Sequence, residues 1–349
     1  MKGNEAMAEA AIRAGCKAFF GYPITPQTEL SAYMAKYMEK SGGVFLQAES
    51  EVAAINMVYG ASASGQRAMT SSSSPGISLK AEGISYLAGS DLPAVIINVQ
   101  RGGPGLGSIQ PAQQDYWQAT HAMGHGDFHI LVFAPASVQE MVDLIVEAFD
   151  TADEYRMPAM ILADGLLGQM MEPVSFPDEV KIDKVDKSGW ACSGHKMQRE
   201  HHIVNSLYIE AEKCEEVVRK RFERYAIVEE KVHKAEVYMC DDADIVLTAY
   251  GASARVAKSA VNQARKLGIK AGLCRPITLW PFPKKELNEA VKNASDVLCV
   301  EMSMGQMVDD VRLAINCSKP VHFFGRCGGV IPSPKEVLEE IKKLAGGKQ

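Results

Sequence analysis

The sequence lacks the features that several common classes of protein require. Its eight cysteines form no C-x-x-C pair, which argues against a zinc ribbon or a ferredoxin-type cluster held by this chain. No apolar run approaches the roughly 18 residues of a membrane span. The net charge of -6 leaves no basic stripe for nucleic-acid phosphates, and the first residues carry no apolar signal-peptide core. We therefore expect a cytoplasmic protein that binds neither nucleic acid nor a membrane.

What the 349 residues do show is an alternation of short apolar runs with amphipathic segments. Up to about Pro173 this alternation predicts a parallel α/β domain, residues 1–173. Residues 174–234 are charged and proline-containing, and they end in a long helix that begins at Ala211. We interpret them as a connecting arm. Renewed alternation predicts a second α/β domain over residues 235–349.

The most informative stretch is residues 49–60, which places two carboxylates at the start of a helix of small and apolar residues. Glu51 falls in the first helical turn. There the helix N-terminus stabilises an anion, whereas a dry pocket raises the pKa of an acid. The alternative is an ordinary solvated acid at a helix start. We take Glu51 as a candidate site residue.

A proline-rich turn precedes this helix, with the sequence Gly21-Tyr22-Pro23-Ile24-Thr25-Pro26. Its two prolines predict an extended, stiff loop between a strand and a helix. Pro26 fits the first helical position and Thr25 fits the N-cap. A hydroxyl and free backbone N–H groups at a helix start form a potential anion site.

A third motif is Gln100-Arg101-Gly102-Gly103-Pro104-Gly105-Leu106-Gly107, which follows the continuous apolar strand 94–99. It matches neither the G-x-G-x-x-G fingerprint nor a P-loop. An Arg at the carboxyl end of a buried strand lies in the crevice where α/β sheets bind ligands, and its guanidinium suits a carboxylate. The alternative is that Arg101 pairs with a local acid.

Two further patterns define no site by themselves. The hydroxyl-rich run of residues 71–76 predicts a βα loop. His121, His125 and His129 recur every four residues, but Gly124 and Gly126 interrupt any helix and H-E-x-x-H is absent. We predict no metal site there.

The three motifs in this order resemble the alpha subunit of the 2-oxoacid:ferredoxin oxidoreductases, most nearly the 2-oxoisovalerate (3-methyl-2-oxobutanoate) type. The resemblance covers nearly the whole chain. It includes the proline-rich segment 275–283 and Gly325-Arg326-Cys327-Gly328-Gly329-Val330 near the end. It implies a pyrimidine-binding domain of thiamine diphosphate enzymes followed by an α/β domain like the transketolase C-terminal domain.

The resemblance also implies an activity and roles for individual residues. A branched-chain 2-oxoacid would be oxidatively decarboxylated to its acyl-CoA and CO₂, with electrons passed to ferredoxin. Glu51, Thr25 and Arg101 would be the catalytic residues. Glu51 would contact the aminopyrimidine of thiamine diphosphate and promote ylide formation, with Pro23, Ile24 and Thr25 beside the cofactor. Thr25 and Arg101 would bind the 2-oxoacid.

The family's cofactors require partner subunits. The Mg²⁺–diphosphate motif, Gly-Asp-Gly with a later Asn, has only the imperfect counterpart Ala163-Asp164-Gly165 here. We therefore expect a beta subunit to supply the diphosphate site and Mg²⁺, with a gamma subunit and a ferredoxin-like delta subunit that holds [4Fe-4S] clusters. Coenzyme A would be a co-substrate, and no metal is expected in this chain.

Two alternatives stay open at this point. The substrate could be 2-oxoglutarate or pyruvate, although Gly105-Leu106-Gly107 replaces the Ser-Thr-Gly of 2-oxoglutarate-type members and favours an apolar substrate. The chain could also be a non-catalytic structural subunit of such a complex.

Overall fold

Two mainly parallel β-sheets organise the chain in this computed structural model, which describes residues 1–121, 123–177 and 185–346. The strands are β1 (Ala18–Gly21), β2 (Val44–Gln47), β3 (Ala68–Ser72), β4 (Val95–Gln100), β5 (Leu131–Phe133), β6 (Ala159–Asp164), β7 (Ala235–Tyr238), β8 (Ile245–Thr248), β9 (Ala271–Pro276), β10 (Thr278–Trp280), β11 (Asp296–Glu301) and β12 (Val321–Gly325). Residues 178–184 of the predicted arm and 347–349 of the predicted second domain lie outside the described residues.

Helices connect these strands in the order that the alternating pattern predicts. They are α1 (Gly3–Arg13), α2 (Thr28–Tyr37), α3 (Glu51–Ala63), α4 (Ser74–Gly89), α5 (Tyr116–Thr120), α6 (Val138–Tyr155), α7 (Gly165–Gln169), α8 (Ala211–Lys231), α9 (Gly251–Lys266), α10 (Lys284–Ala290), α11 (Met307–Ala314) and α12 (Pro334–Gly346). A 3₁₀ turn, Glu39–Ser41, follows α2. Within the described residues, no helix combines the length and the apolar character needed to cross a membrane.

The first sheet has seven strands in the order β10-β5-β6-β4-β3-β1-β2. All its pairings are parallel except β10 with β5. Every residue of β4 and β6 is buried, as expected for strands covered by helices on both faces. Their apolar side chains form the centre of the larger hydrophobic core.

The second sheet has the order β12-β11-β8-β9-β7. Its strands are parallel except β7, which runs antiparallel to β9. The helices α9 and α12 pack together against it, and their apolar faces form the smaller core. The predicted parallel α/β character of both halves is confirmed.

Two local predictions are wrong. Thr25 is not an N-cap, because α2 begins at Thr28 with Gln27 in the cap position. The Pro26 carbonyl instead accepts a hydrogen bond from Asn4 Nδ2 (2.8 Å), and the Gln27 Oε1 accepts one from Ser71 Oγ (2.7 Å). These hydrogen bonds from residues distant in sequence keep residues 25–27 out of the helix, so α2 starts later than predicted.

The hydroxyl-rich run is also not a loop. Strand β3 extends through Ser72 and α4 begins at Ser74, which leaves only Ser73 between them. Pro75 lies at the start of α4, where its missing N–H needs no partner. The serine side chains therefore point into buried surroundings rather than solvent.

The predicted arm ends in α8, which contacts the turn after α4, His129 before β5 and Trp280 of β10. Arg221 and Arg224 both donate to Asp91 Oδ1, at 3.0 and 2.6 Å. The Tyr225 ring meets His129 and Trp280 edge to face, with centroids 5.5 Å apart in each pair. The buried residues of α8 are Arg221, Tyr225 and Val228, so this one face anchors the long charged helix.

Candidate active site

The predicted site residues gather at one edge of the first sheet. Strands β4, β3, β1 and β2 are neighbours in that order. Their carboxyl ends lead into Arg101, Ser73, the turn 22–26 and Glu51, respectively. In open α/β sheets, ligands bind in the crevice beyond these carboxyl ends.

Glu51 is the first residue of α3 and is only 6% exposed. Ser50 caps the helix through its Oγ, which accepts the Ala53 N–H at 3.2 Å. The Glu51 carboxylate lies against Gly76 of α4, where an added Cβ would come within 2.8 Å of Glu51 Oε1. The alternative of a solvated first-turn acid is therefore excluded.

Lys80 is a neighbour that the motif analysis missed. Its side chain is fully buried on α4, and its Nζ donates to the Glu51 backbone carbonyl at 3.4 Å. Burial lowers the pKa of Lys80 to about 8, an effect that the negative charge of Glu51 partly opposes. A helical period does reveal this residue, because Lys80 falls on the same face as the buried Ile77, Ile84 and Leu87.

The Arg101 guanidinium bridges two segments of the crevice. Its Nη1 donates to the Thr25 carbonyl at 3.0 Å and its Nη2 to the Leu106 carbonyl at 3.2 Å. The Nε is buried without a hydrogen-bond partner among the described residues. Arg101 thus joins the proline-rich turn through backbone oxygens rather than through a local acid. The Thr25 side chain itself is exposed, as is Pro23, and Ile24 is half-buried.

A buried acid, Asp115, is linked by hydrogen bonds to the start of the loop that contains Arg101. Its Oδ2 accepts hydrogen bonds from Ser74 Oγ (2.6 Å) and Asn98 Nδ2 (2.9 Å). Ser74 Oγ in turn accepts the Arg101 N–H at 3.1 Å. Burial raises the pKa of Asp115, against the hydrogen bonds from Ser74 and Asn98 that lower it. No local motif signals Asp115, since its partners come from β4 and α4.

The glycines after Arg101 shape a tight loop whose tip is apolar. Gly107 has φ +55°, and a Cβ there would lie 1.8 Å from the Gly102 carbonyl oxygen. Leu106, at the tip, is 83% exposed. A Cβ on Gly102 would come within 3.1 Å of the Gly328 backbone, so the loop after β12 packs directly on this one.

Gln113 ties the site to the second sheet. Its Nε2 donates to the Tyr250 carbonyl at 2.8 Å. Its Oε1 accepts from Ser253 Oγ at 2.7 Å and from the Met302 N–H at 3.0 Å. The segment that follows the Arg101 loop is therefore fixed by residues from both halves of the chain.

Asp164 is fully engaged in capping helices. Oδ1 accepts the N–H groups of Leu166 (3.0 Å) and Leu167 (3.1 Å) of α7, and Oδ2 accepts that of Ala252 (3.3 Å) at the start of α9. Burial raises its pKa to about 6. The carboxylate that occupies the α9 N-terminus, near Gly251, thus belongs to the chain itself.

The three spaced histidines diverge in the fold. His129 stacks on Trp280, with ring centroids 4.6 Å apart, whereas His121 Nε2 lies 3.4 Å from Asp310 and His125 meets Tyr86. In the part of the chain that the structure describes, no three or more His, Cys, Asp or Glu side chains are arranged to hold a metal ion.

Two solved structures share this architecture. A 2-oxoglutarate:ferredoxin oxidoreductase from Magnetococcus marinus, with 2-oxoglutarate, coenzyme A and succinyl-CoA bound, matches at a TM-score of 0.87 and 27% identity. The match covers 98% of this chain and 64% of that one. A split-gene transketolase matches at 0.64 and 16% identity over 100% and 99% of the two chains, which shows a common fold. The chain therefore shares the α/β fold of these two enzymes, and the predicted α/β fold class is confirmed.

Sequence comparison narrows the class. The family model for the thiamine diphosphate-binding domain of pyruvate flavodoxin/ferredoxin oxidoreductases matches residues 9–237, and that for core domain II of pyruvate:ferredoxin oxidoreductase matches residues 243–337. The ketoisovalerate oxidoreductase subunit VorB of Methanothermobacter thermautotrophicus is 49% identical over 346 residues, which are 99% of this chain and 97% of the relative. The chain belongs to the 2-oxoacid:ferredoxin oxidoreductase family. The domain bounds at 173 and 234 stay a prediction.

Proposed function

We propose that this chain is the subunit of a cytoplasmic 2-oxoacid:ferredoxin oxidoreductase that carries the pyrimidine half of the thiamine diphosphate site. Its substrate is a branched-chain 2-oxoacid, 2-oxoisovalerate. The bond between the carboxylate carbon and the 2-oxo carbon breaks to release CO₂, and the acyl group forms a thioester with coenzyme A. The two electrons released reduce ferredoxin, and the thiol proton is lost.

The observation that carries this proposal is the buried Glu51 carboxylate at the ligand-binding edge of the sheet. Because residue 76 is a glycine, α4 leaves room for this carboxylate. The hydroxyls of Ser72 and Ser73, just before Gly76 in sequence, are buried without a hydrogen-bond partner among the described residues. These groups fit the polar edge of an aminopyrimidine ring. When bound, thiamine diphosphate supplies a nucleophilic carbon and an electron sink for decarboxylation. Glu51 would hold the ring and its proton.

Arg101 and Thr25 would hold the substrate. The guanidinium is 8% exposed and still has a buried Nε without a partner among the described residues. In that setting a planar cation favours a carboxylate strongly. The exposed Leu106 beside it offers an apolar contact to a branched tail. The 49% identity to a ketoisovalerate oxidoreductase subunit supports the same substrate.

The remaining parts of the reaction would come from partner subunits. We assign Mg²⁺ and the diphosphate site to a beta subunit and [4Fe-4S] clusters to a ferredoxin-like delta subunit, with a gamma subunit completing the complex. Around Glu51 the chain exposes apolar side chains that an obligate interface would cover. They are Val44, Leu46, Val52, Met57 and Leu79.

Replacing Glu51 with Gln tests the role of this subunit. Loss of the carboxylate should lower turnover of the assembled complex by at least about a hundredfold, the scale of a lost acid–base group. Viologen reduction with 2-oxoisovalerate and coenzyme A measures it. Glu49→Gln is the matched control, since Glu49 is exposed two residues away. Unchanged turnover in Glu51→Gln would indicate a purely structural subunit.

The substrate and the shared cofactor site need separate measurements. The complex should prefer 2-oxoisovalerate over 2-oxoglutarate and pyruvate in kcat/KM. A preference for 2-oxoglutarate would contradict the substrate assignment and leave the family unaffected. By calorimetry the isolated chain should bind thiamine diphosphate weakly until the beta subunit is added. Tight, Mg²⁺-dependent binding by this chain alone would contradict the shared site.

A further inference from the structure

The residues where α3 and α4 meet form an unusual stripe. Gly76, Lys80 and Gly83 are spaced four and three residues apart, so they share one face of α4. A Cβ on Gly76 would strike the Ser72 Oγ and the Glu51 side chain, and one on Gly83 would come within 2.5 Å of Ile55. Lys80 lies between these two glycines, which permit close contact between the helices.

An ammonium in this position is costly to bury. Lys80 is 0% exposed and its surroundings are largely apolar, with Ile77 and Ile84 buried on the same helix. Removing a charge from water is unfavourable unless an opposite charge compensates it. Leu or Met would fill the volume without that cost. The charge of Lys80 therefore calls for an explanation beyond packing.

The charged groups around Lys80 single out one partner. On α3 the titratable residues are Glu51 and Tyr59, and the Tyr59 hydroxyl is bonded to Ser90. On α4, Glu82 and Tyr86 bond to each other at 2.6 Å on the exposed side. Asp115 and Arg101 adjoin only the first residue of α4, through Ser74. Among the described residues, Glu51 is the one charge that raises the pKa of Lys80.

We propose that Lys80 is a positioning residue for Glu51: its buried ammonium holds the start of α3 and, with it, the Glu51 side chain at the edge of the sheet. This inference rests on the proposed function of Glu51, because a carboxylate that holds an aminopyrimidine ring must be fixed in place. Lys80 itself touches the Glu51 backbone carbonyl, at 3.4 Å, and acts on the reaction through Glu51. Loss of the Lys80 charge would therefore reach the cofactor-facing acid through the start of α3.

The first test measures coupling without any cofactor. Because burial depresses the pKa of Lys80 from 10.5 to about 8, the native state binds fewer protons than the unfolded chain between these two pH values. The melting temperature of the wild-type chain should therefore rise relative to Lys80→Met between pH 8 and 10.5. In a Glu51→Gln background the negative charge that raises the pKa of Lys80 is absent. The pKa of Lys80 is then lower, so the rise in melting temperature should begin below pH 8. An identical onset in both backgrounds would overturn the proposal.

The second test uses the assembled complex. Lys80→Met should lower kcat about tenfold at pH 7, and Lys80→Arg should restore most of it because Arg stays charged. The wild type should lose activity as pH rises past about 8, and Lys80→Arg should lack that alkaline limb. Lys266→Met, on the exposed end of α9, is the control. If Lys80→Arg loses activity above pH 8 as the wild type does, the proposal is overturned. This comparison does not depend on whether Lys80→Met folds.

The two proposals can fail separately. If Glu51→Gln is inactive but the melting curves show no coupling, the role of Lys80 is wrong and the function of Glu51 stands. If the coupling is present but Glu51→Gln is fully active, the Lys80–Glu51 pair exists and its link to thiamine diphosphate chemistry is wrong.

Discussion

Replacing Arg101 with Lys should impair substrate binding although the charge is kept. The guanidinium donates to the carbonyls of Thr25 and Leu106 at the same time, and a lysine ammonium cannot span both. A hydrogen bond from a charged donor contributes about 1.5–3 kcal/mol. Loss of one such contact, together with loss of the planar guanidinium that we propose binds the substrate, predicts a decrease in kcat/KM of roughly ten- to a hundredfold.

Steady-state viologen reduction by the assembled complex checks this, with the 2-oxoacid concentration varied to separate KM from kcat. We expect most of the effect in KM, because the proposed contact of the guanidinium with the substrate carboxylate would exist both before and during decarboxylation. Arg312→Lys, in an exposed ion pair with Asp309, is the matched control. If Arg101→Lys lowers the melting temperature while KM and kcat stay unchanged, Arg101 is a structural residue and the reasoning is refuted.

Two further predictions concern the backbone and pH. Gly107→Ala should destabilise the loop of residues 102–107 and raise KM, because the new Cβ would clash with the Gly102 carbonyl. Gly105→Ala is the control: Gly105 also has a positive φ but faces open space, so this variant should lower the unfolding free energy by only about 1–2 kcal/mol. Equal effects of the two variants on the melting curve would contradict this prediction. Burial raises the pKa of Asp164 from 3.8 to about 6, so its contribution to stability is full below pH 3.8 and is lost by about pH 6. Relative to Asp164→Asn, the wild type should thus lose up to about 3 kcal/mol of unfolding free energy across that window, and parallel denaturation curves would refute it.

Much of the fold could be predicted from the sequence because its periodic signals are strong. Strand Ile245–Thr248 is a continuous apolar run, and helix Val138–Tyr155 has one apolar face and a serine cap; both have the predicted bounds. The candidate residues Glu51 and Arg101 were found from motifs, and the structure places both at one sheet edge. Their chemical roles stay predictions.

The failures share a physical cause: the deciding contacts are distant in sequence. The start of α2 depends on Ser71, which lies 44 residues beyond its partner Gln27. Asp115 depends on Ser74, 41 residues before it. No local propensity contains such information. Lys80 is different, because a lysine on the buried face of a predicted helix is visible in the sequence, although its partner Glu51 is not.

The second half of the chain supports the Arg101 loop directly. The loop after β12 lies against Gly102, and a Cβ on its Gly329 would come within 2.4 Å of the Gln110 side chain. Gln113 is held by the Tyr250 carbonyl just after β8 and by the Met302 N–H just after β11. The Arg101 loop therefore contacts residues that follow strands of the second sheet, and its geometry depends on how the two sheets are positioned. A substitution in the loop after β12 should consequently alter KM for the 2-oxoacid through Arg101, since it moves the loop that holds the guanidinium.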